Sequence, residues 1–265
     1  MTKLAANLTM MFNEVDFLER FASAADAGFK GVEYLFPYAY PKEQLAEKLA
    51  KHGLVQALHN LPAGDWAKGE RGIACQPDRV GEFQDSVGKA IEYATALGCK
   101  KLNCLAGIAP AGVDPDKVRA TFASNLRFAA DKLGAAGIKV LTEPINTFDV
   151  PGFFLSHTGQ ALDILRDAGS TNLYLLYDIY HMQRMEGELA NTIRTNLPRI
   201  AHFQLADNPG RNEPGTGEIN YRFLFGFLDS IGYDGWIGCE YKPKGKTVEG
   251  LGWRAAHGVI GPDHV

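Results

Sequence analysis

Eight short β-prone runs, each followed by a helical pattern, recur along the whole chain, and no Ser/Pro-rich linker or charge block interrupts the alternation. The runs fall at residues 4–7, 31–34, 54–60, 101–105, 139–143, 173–178, 200–205 and 236–240. Between them lie amphipathic stretches such as DFLERFASAADAG, where Phe17, Phe21 and Ala24 recur on one face and Gly28 supplies a stop. Further helical patterns begin near Lys42, Arg79, Pro115, Thr158, Glu188, Tyr221 and Val248. Eight units in 265 residues average about 33 residues each, the size of a strand, a crossover helix and two loops. The expected fold is therefore α/β, a (β/α)8 TIM barrel forming a single domain over residues 1–265. An open doubly wound sheet would carry a glycine-rich phosphate loop after its first strand, but the residues there are MMFNEVD. Gly245 to Thr247 read GKT, yet a phosphate-binding P-loop needs a glycine five positions earlier, where Glu240 stands.

Charge narrows the partners. With 27 Lys+Arg against 31 Asp+Glu the formal net charge is −4, which argues against a nucleic-acid or anionic-membrane binder. Cys75, Cys99, Cys104 and Cys239 include no C-x-x-C pair and fit a reducing compartment. The N-terminus lacks the continuous apolar stretch and cleavage site of a signal peptide, and no run approaches the roughly 18 apolar residues of a membrane span. A cytoplasmic, soluble protein is expected.

In a barrel of this kind chemistry gathers at the C-terminal ends of the strands, where all the βα loops open. The fifth run ends in Glu143, the sixth in Asp178 and the eighth in Glu240, while the seventh carries Gln204. Successive separations of 35, 26 and 36 residues put each about one β-α unit from the next, so the four share one rim. Three carboxylates crowded together raise one another's pKa unless a positive charge neutralises them. A divalent cation does so, and an all-oxygen set of Glu143, Asp178, Gln204 and Glu240 favours Mg2+ or Mn2+ over Zn2+. The competing reading of each acid is a cap on the following helix. His181, three residues after Asp178, and Arg211, in the loop after the seventh run, are expected to bind substrate; Lys242 is a further cation near the rim. Glu33 and His59, at the ends of the second and third runs, are candidates to face the same cavity, His59 as a substrate-binding residue. For each of these, a solvated surface charge or a structural histidine is the competing reading.

The runs FPYAYPKEQLA, LHNLPAGDWAKGERGIACQPDRV, TEPINTFDVPGFFLS, YDIYHMQRMEGEL, HFQLADNPGRNEPGTGEINYRFLF and GYDGWIGCEYKPKG resemble the hydroxypyruvate isomerase family, within the xylose-isomerase-like barrel superfamily. The resemblance extends over nearly the whole chain. It implies that Glu143, Asp178, Gln204 and Glu240 ligate a divalent metal and that Glu143 and Glu240 are the acid/base pair. Ketose 3-epimerases of the same superfamily look similar at both glutamates and the aspartate but carry a histidine where this chain has Gln204. A 2-oxo-tetronate isomerase is also among the relatives.

The reaction implied is the interconversion of hydroxypyruvate and 2-hydroxy-3-oxopropanoate (tartronate semialdehyde) through an enediolate. The alternatives are a 2-oxo-tetronate isomerase, a ketose 3-epimerase, a non-catalytic sugar-acid binding protein and an abasic-site endonuclease. The last needs a His-rich multi-metal centre and a basic groove, against seven histidines and a charge of −4 here. The expected partner is a small sugar acid, with a homo-oligomer as a family-level expectation.

Overall fold

A computed structural model describes residues 2–259; residue 1 and residues 260–265, which the expected domain span takes in, lie outside the described residues. All eight expected strands form, as β1 (Lys3–Asn7), β2 (Gly31–Glu33), β3 (Val55–Asn60), β4 (Lys101–Asn103), β5 (Lys139–Thr142), β6 (Leu173–Asp178), β7 (Ile200–Leu205) and β8 (Trp236–Cys239). They close into one barrel in sequence order, every pair parallel, with β1 returning to β8. Parallel neighbours need a crossover connection, and the helices supply it. They are α1 (Arg20–Asp26), α2 (Lys42–His52), α3 (Val80–Ala96), α4 (Pro115–Ala135), α5 (Thr158–Ala168), α6 (Ile179–Met185), α7 (Leu189–Asn196), α8 (Tyr221–Ser230), α9 (Thr247–Gly250) and α10 (Trp253–Ala256). Phe21 and Ala24 on α1 are buried, as their spacing predicts.

Side-chain alternation decides what the barrel encloses. Leu58, Leu141 and Leu176 form a small cluster of their own, separate from the main core between sheet and helices. These three point inward and pack the middle of the barrel. Two residues further along each strand direction come Asn60, Glu143 and Asp178, on the same inward face and nearer the open end. The odd member of each pair, such as Tyr177 on β6, points to the helix layer and is buried there. Asp178, Gln204 and Gly238 lie in one row across β6, β7 and β8. Among the described residues no helix is long and apolar enough to cross a membrane. All four cysteines are free and buried.

Candidate active site

Three of the four rim residues expected from the strand ends meet at one point. Glu143, Asp178 and Glu240, joined by His181, present ligand atoms that all lie within 4.8 Å of one another, and all four residues are buried. Glu143 and Glu240 stand one residue beyond the ends of β5 and β8, and Asp178 is the last residue of β6. Asp178 acts as the helix cap and still turns one oxygen to the cluster. Its Oδ1 caps α6 by accepting from the Tyr180 backbone N–H at 2.8 Å, while its Oδ2 makes no hydrogen bond among the described residues and faces the cluster.

The tautomer of His181 follows from its neighbours. Asn146 Nδ2 lies 2.6 Å from His181 Nδ1, and the Asn146 backbone N–H donates to the same atom at 3.4 Å. The amide cannot be reversed, because Asn146 Oδ1 already accepts from the backbone N–H groups of Phe148 and Asp149. The 2.6 Å amide contact outweighs the 3.5 Å approach of Arg211 Nη2 to Nε2, so Nδ1 is the acceptor and Nε2 carries the hydrogen, 3.7 Å from Glu143 Oε1 and 3.6 Å from Asp178 Oδ2. Burial, followed by the Arg211 charge, holds the His181 pKa well below its usual value, so the ring is neutral. A neutral imidazole with Nε2–H turned to the cluster can donate a hydrogen bond there. Arg211 Nη2 donates to Glu240 Oε2 at 2.7 Å and lies 3.9 Å from Asp178 Oδ2.

Beneath these groups the barrel holds a polar layer. Glu33 Oε1 accepts from Gln204 Nε2 at 2.8 Å and from Asn7 Nδ2 at 3.0 Å, and Glu33 Oε2 pairs with His202 Nε2 at 2.7 Å. Asn7 Nδ2 also reaches Glu240 Oε1 at 3.3 Å, and Asn103 Nδ2 donates to Glu143 Oε2 at 2.9 Å. Gly238 makes room for this arrangement, since a Cβ there would sit 2.2 Å from a Glu33 carboxylate oxygen. With its amide nitrogen committed to Glu33, Gln204 is turned so that its Oε1 is a buried acceptor without a hydrogen bond. Buried polar atoms are almost always satisfied. Two orphaned oxygens on register-paired residues, Asp178 Oδ2 and Gln204 Oε1, together with three crowded carboxylates are what a hard divalent cation would satisfy, so the residues fit such an ion.

The remaining candidates separate clearly. His181, Arg211 and Lys242 line a cavity of about 770 Å³ together with Glu143 and Glu240. Glu33 does not line it; fully buried, it supports the rim from below. His59 also lies away from the cavity. Leu58 points into the barrel, so on the same strand His59 points out, where its ring meets Tyr38 edge-on at 5.9 Å and its Nδ1 pairs with the Asn60 carbonyl. The next residue, Asn60, takes the inward position and lines the cavity. Asp149, Tyr180, Arg71 and Arg184 line it too, none of them singled out by the strand-end argument, because they lie on loops and on the short helix α6.

A family profile described as xylose isomerase-like TIM barrel matches residues 21–257. The chain belongs to the xylose isomerase-like TIM barrel family. Within that family it is 56% identical to the hydroxypyruvate isomerase of Escherichia coli K12, over 96% of this chain and 98% of that protein. It is 47% identical to the 2-oxo-tetronate isomerase of Cupriavidus necator, over 96% and 97% respectively. A crystal structure titled AP endonuclease, family 2, from Brucella melitensis superposes with a TM-score of 0.94 at 48% identity, covering 97% of this chain and 99% of that one. The buried acid and histidine group of this xylose isomerase-like barrel is a site able to hold a divalent metal.

Burial gives this site a measurable pH signature. It pushes Glu240 up to about 8, with the Asp178 and Glu33 charges adding to the rise and Arg211 opposing it, and it raises Asp178 to about 6. Glu143 is also raised, first by burial and then by Glu240 and Asp178. A carboxyl whose folded pKa exceeds its unfolded value binds more protons when folded, so its stabilising contribution is lost as pH climbs through the folded value. Metal-free protein therefore loses stability between about pH 5 and 8, while a cation that binds the ionised acids stabilises increasingly over the same range. At a concentration about a hundredfold above its Kd at pH 8, Mn2+ is expected to raise Tm by about 5–10 °C at that pH, and the same concentration to raise it by clearly less at pH 5.5. Equal shifts at both pH values in a thermal melt would contradict the assignment of the acids as the binding groups.

Proposed function

We propose that this chain is an isomerase of hydroxy-keto acids, interconverting hydroxypyruvate and 2-hydroxy-3-oxopropanoate, with Glu143 and Glu240 as the acid/base pair. The observation that carries the reading is the meeting of these two glutamates and Asp178 in one buried cluster at the floor of a small-molecule-sized cavity. The identities to the Escherichia coli and Cupriavidus necator isomerases support the reaction class.

The reaction moves one hydrogen between neighbouring carbons. One carboxylate removes a C–H proton from the hydroxymethyl carbon, the resulting enediolate spreads its charge over two oxygens, and the other carboxyl delivers a proton to the former carbonyl carbon. The hydroxyl proton passes to the neighbouring oxygen, which becomes the new hydroxyl, so no oxidant or reductant is consumed. Glu143 and Glu240 extend from β5 and β8, on different walls of the barrel, which suits attack at adjacent carbons. His181, neutral and with Nε2–H toward the cluster, donates to a substrate oxygen and helps the proton pass between the two oxygens. Arg211 adds positive charge beside Glu240, where negative charge develops. Glu143, Asp178, Gln204 and Glu240 would hold Mg2+ or Mn2+. When bound, the ion supplies Lewis-acid polarisation of the substrate's carbonyl and hydroxyl oxygens.

A side-by-side assay of hydroxypyruvate, 2-oxo-tetronate and a free ketose, each with and without Mn2+, tests the reading. Hydroxypyruvate is expected to be preferred over the free ketose by at least about tenfold in kcat/KM, the scale on which one contact discriminates. Faster turnover of the ketose would make the protein an epimerase, and binding without turnover would make it a sugar-acid binder.

A further inference from the structure

An acid substrate requires a cation that its carboxylate can reach, and two of the four arginine and lysine side chains around the cavity are already engaged. Arg184 is paired with Asp149 and the Tyr180 hydroxyl, and Arg211 with Glu240. Arg71 is different. It lines the cavity from the loop between β3 and α3, and among the described residues no carboxylate pairs with it. We propose that the guanidinium of Arg71 seats the carboxylate of the substrate and so selects hydroxy-keto acids over neutral ketoses.

The group is held ready for that task. Its guanidinium carbon stacks 4.1 Å from the centre of the Trp66 ring. Its Nη1 donates to two backbone carbonyls, those of Glu70 at 2.8 Å and Trp66 at 3.2 Å. One end of the guanidinium is thereby satisfied, and the Nε–Nη2 edge keeps the two parallel N–H groups that match a carboxylate. A stacked, carbonyl-anchored arginine has little side-chain freedom left to lose on binding. Lys242, the other cavity cation that has no carboxylate partner among the described residues, is exposed and lacks such anchoring there.

The backbone beside Arg71 is equally constrained. Gly72 has φ +115°, and a Cβ on it would come within 2.5 Å of the Leu105 carbonyl oxygen. Gly107 approaches from the other side, where a Cβ would lie 2.3 Å from the Gly72 oxygen. The loop thus rests directly on the segment leaving β4. On its outer flank Glu70 binds Arg79 and the Asp65 backbone N–H. Arg71 is carried by a fixed surface and points over the same cavity whose floor is formed by Glu143 and Glu240.

This inference deepens the proposed reaction and rests on it, so the test pairs turnover with binding. In Arg71→Met, KM for hydroxypyruvate is expected to rise about a hundredfold, the scale of a charge-assisted hydrogen-bonded pair, with kcat changing by less than about tenfold. Arg71→Lys should fall between, keeping the charge without the fork. The preference for hydroxypyruvate over neutral hydroxyacetone, the latter followed by exchange of its C–H hydrogens in D2O, should drop by a similar factor. Calorimetric titration of the Mn2+-loaded protein with glycerate, which has no carbonyl to isomerise, should show the same loss of affinity. An unchanged KM in Arg71→Met, or a large rise in Lys242→Met instead, overturns the assignment while leaving the isomerase reading intact. If the wild type converts no hydroxy-keto acid but glycerate affinity still depends on Arg71, the reaction is overturned and the carboxylate seat is supported.

Discussion

Replacing Glu240 with glutamine is expected to leave the barrel folded and to lower isomerisation by at least about a hundredfold, the lower end of what a positioned acid or base contributes. The substitution keeps the shape and removes only the ionisable group. Circular dichroism and the melting temperature of metal-free protein should be close to those of the wild type, because the lost acid is one that burial had already pushed up to about 8. Its main partner, Arg211, retains Asp178 and Asp149 at 3.9 Å. The loss should therefore appear in kcat, with the fold unaffected. Near-normal turnover in the folded variant would remove Glu240 from the acid/base role and leave it only as a prop for Arg211.

Stripping divalent metal with a chelator is expected to abolish isomerisation, and Mg2+ or Mn2+ to restore it. The reasoning is electrostatic. Glu143, Asp178 and Glu240 cannot all be ionised within 4.8 Å of one another in a buried site unless positive charge is near, and Arg211 alone supplies one unit against three. Zn2+ is expected to restore activity less well, since the two free acceptors at the cluster are oxygens and the histidine presents a hydrogen. Full turnover in protein shown by elemental assay to be metal-free would defeat this assignment and require Arg211 and His181 to stabilise the enediolate alone.

The barrel was readable from the residues because each strand is bounded by an amphipathic helix whose period differs from its own. β6 and β7 coincide with the expected runs, and the other six strands differ at their ends by only one or two residues. What was lost came from two physical sources. Helix α6 spans only seven residues, and its IYHMQRM run buries Ile179 through Met182 consecutively, so no apolar stripe announces it. His59 failed for another reason: it sits one residue from the end of β3, and a shift of one along a strand reverses the side a residue faces. Asn7 and Asn103, which hold the two glutamates, look in sequence like ordinary turn formers; only their inward position makes them struts. Arg71 could not have been found by strand ends at all, since its place is set by a loop lying on a neighbouring loop.

The Glu33 knot beneath the rim bears on how the ion preference of this barrel can be redesigned. A histidine introduced at position 204 would inherit a carboxylate neighbour reaching through the barrel interior from β2, and that neighbour would dictate which ring nitrogen is left for the metal. Changing the ligand on β7 is thus also a negotiation with β2, and libraries that vary positions 33 and 204 together sample workable solutions that single-site scanning would miss.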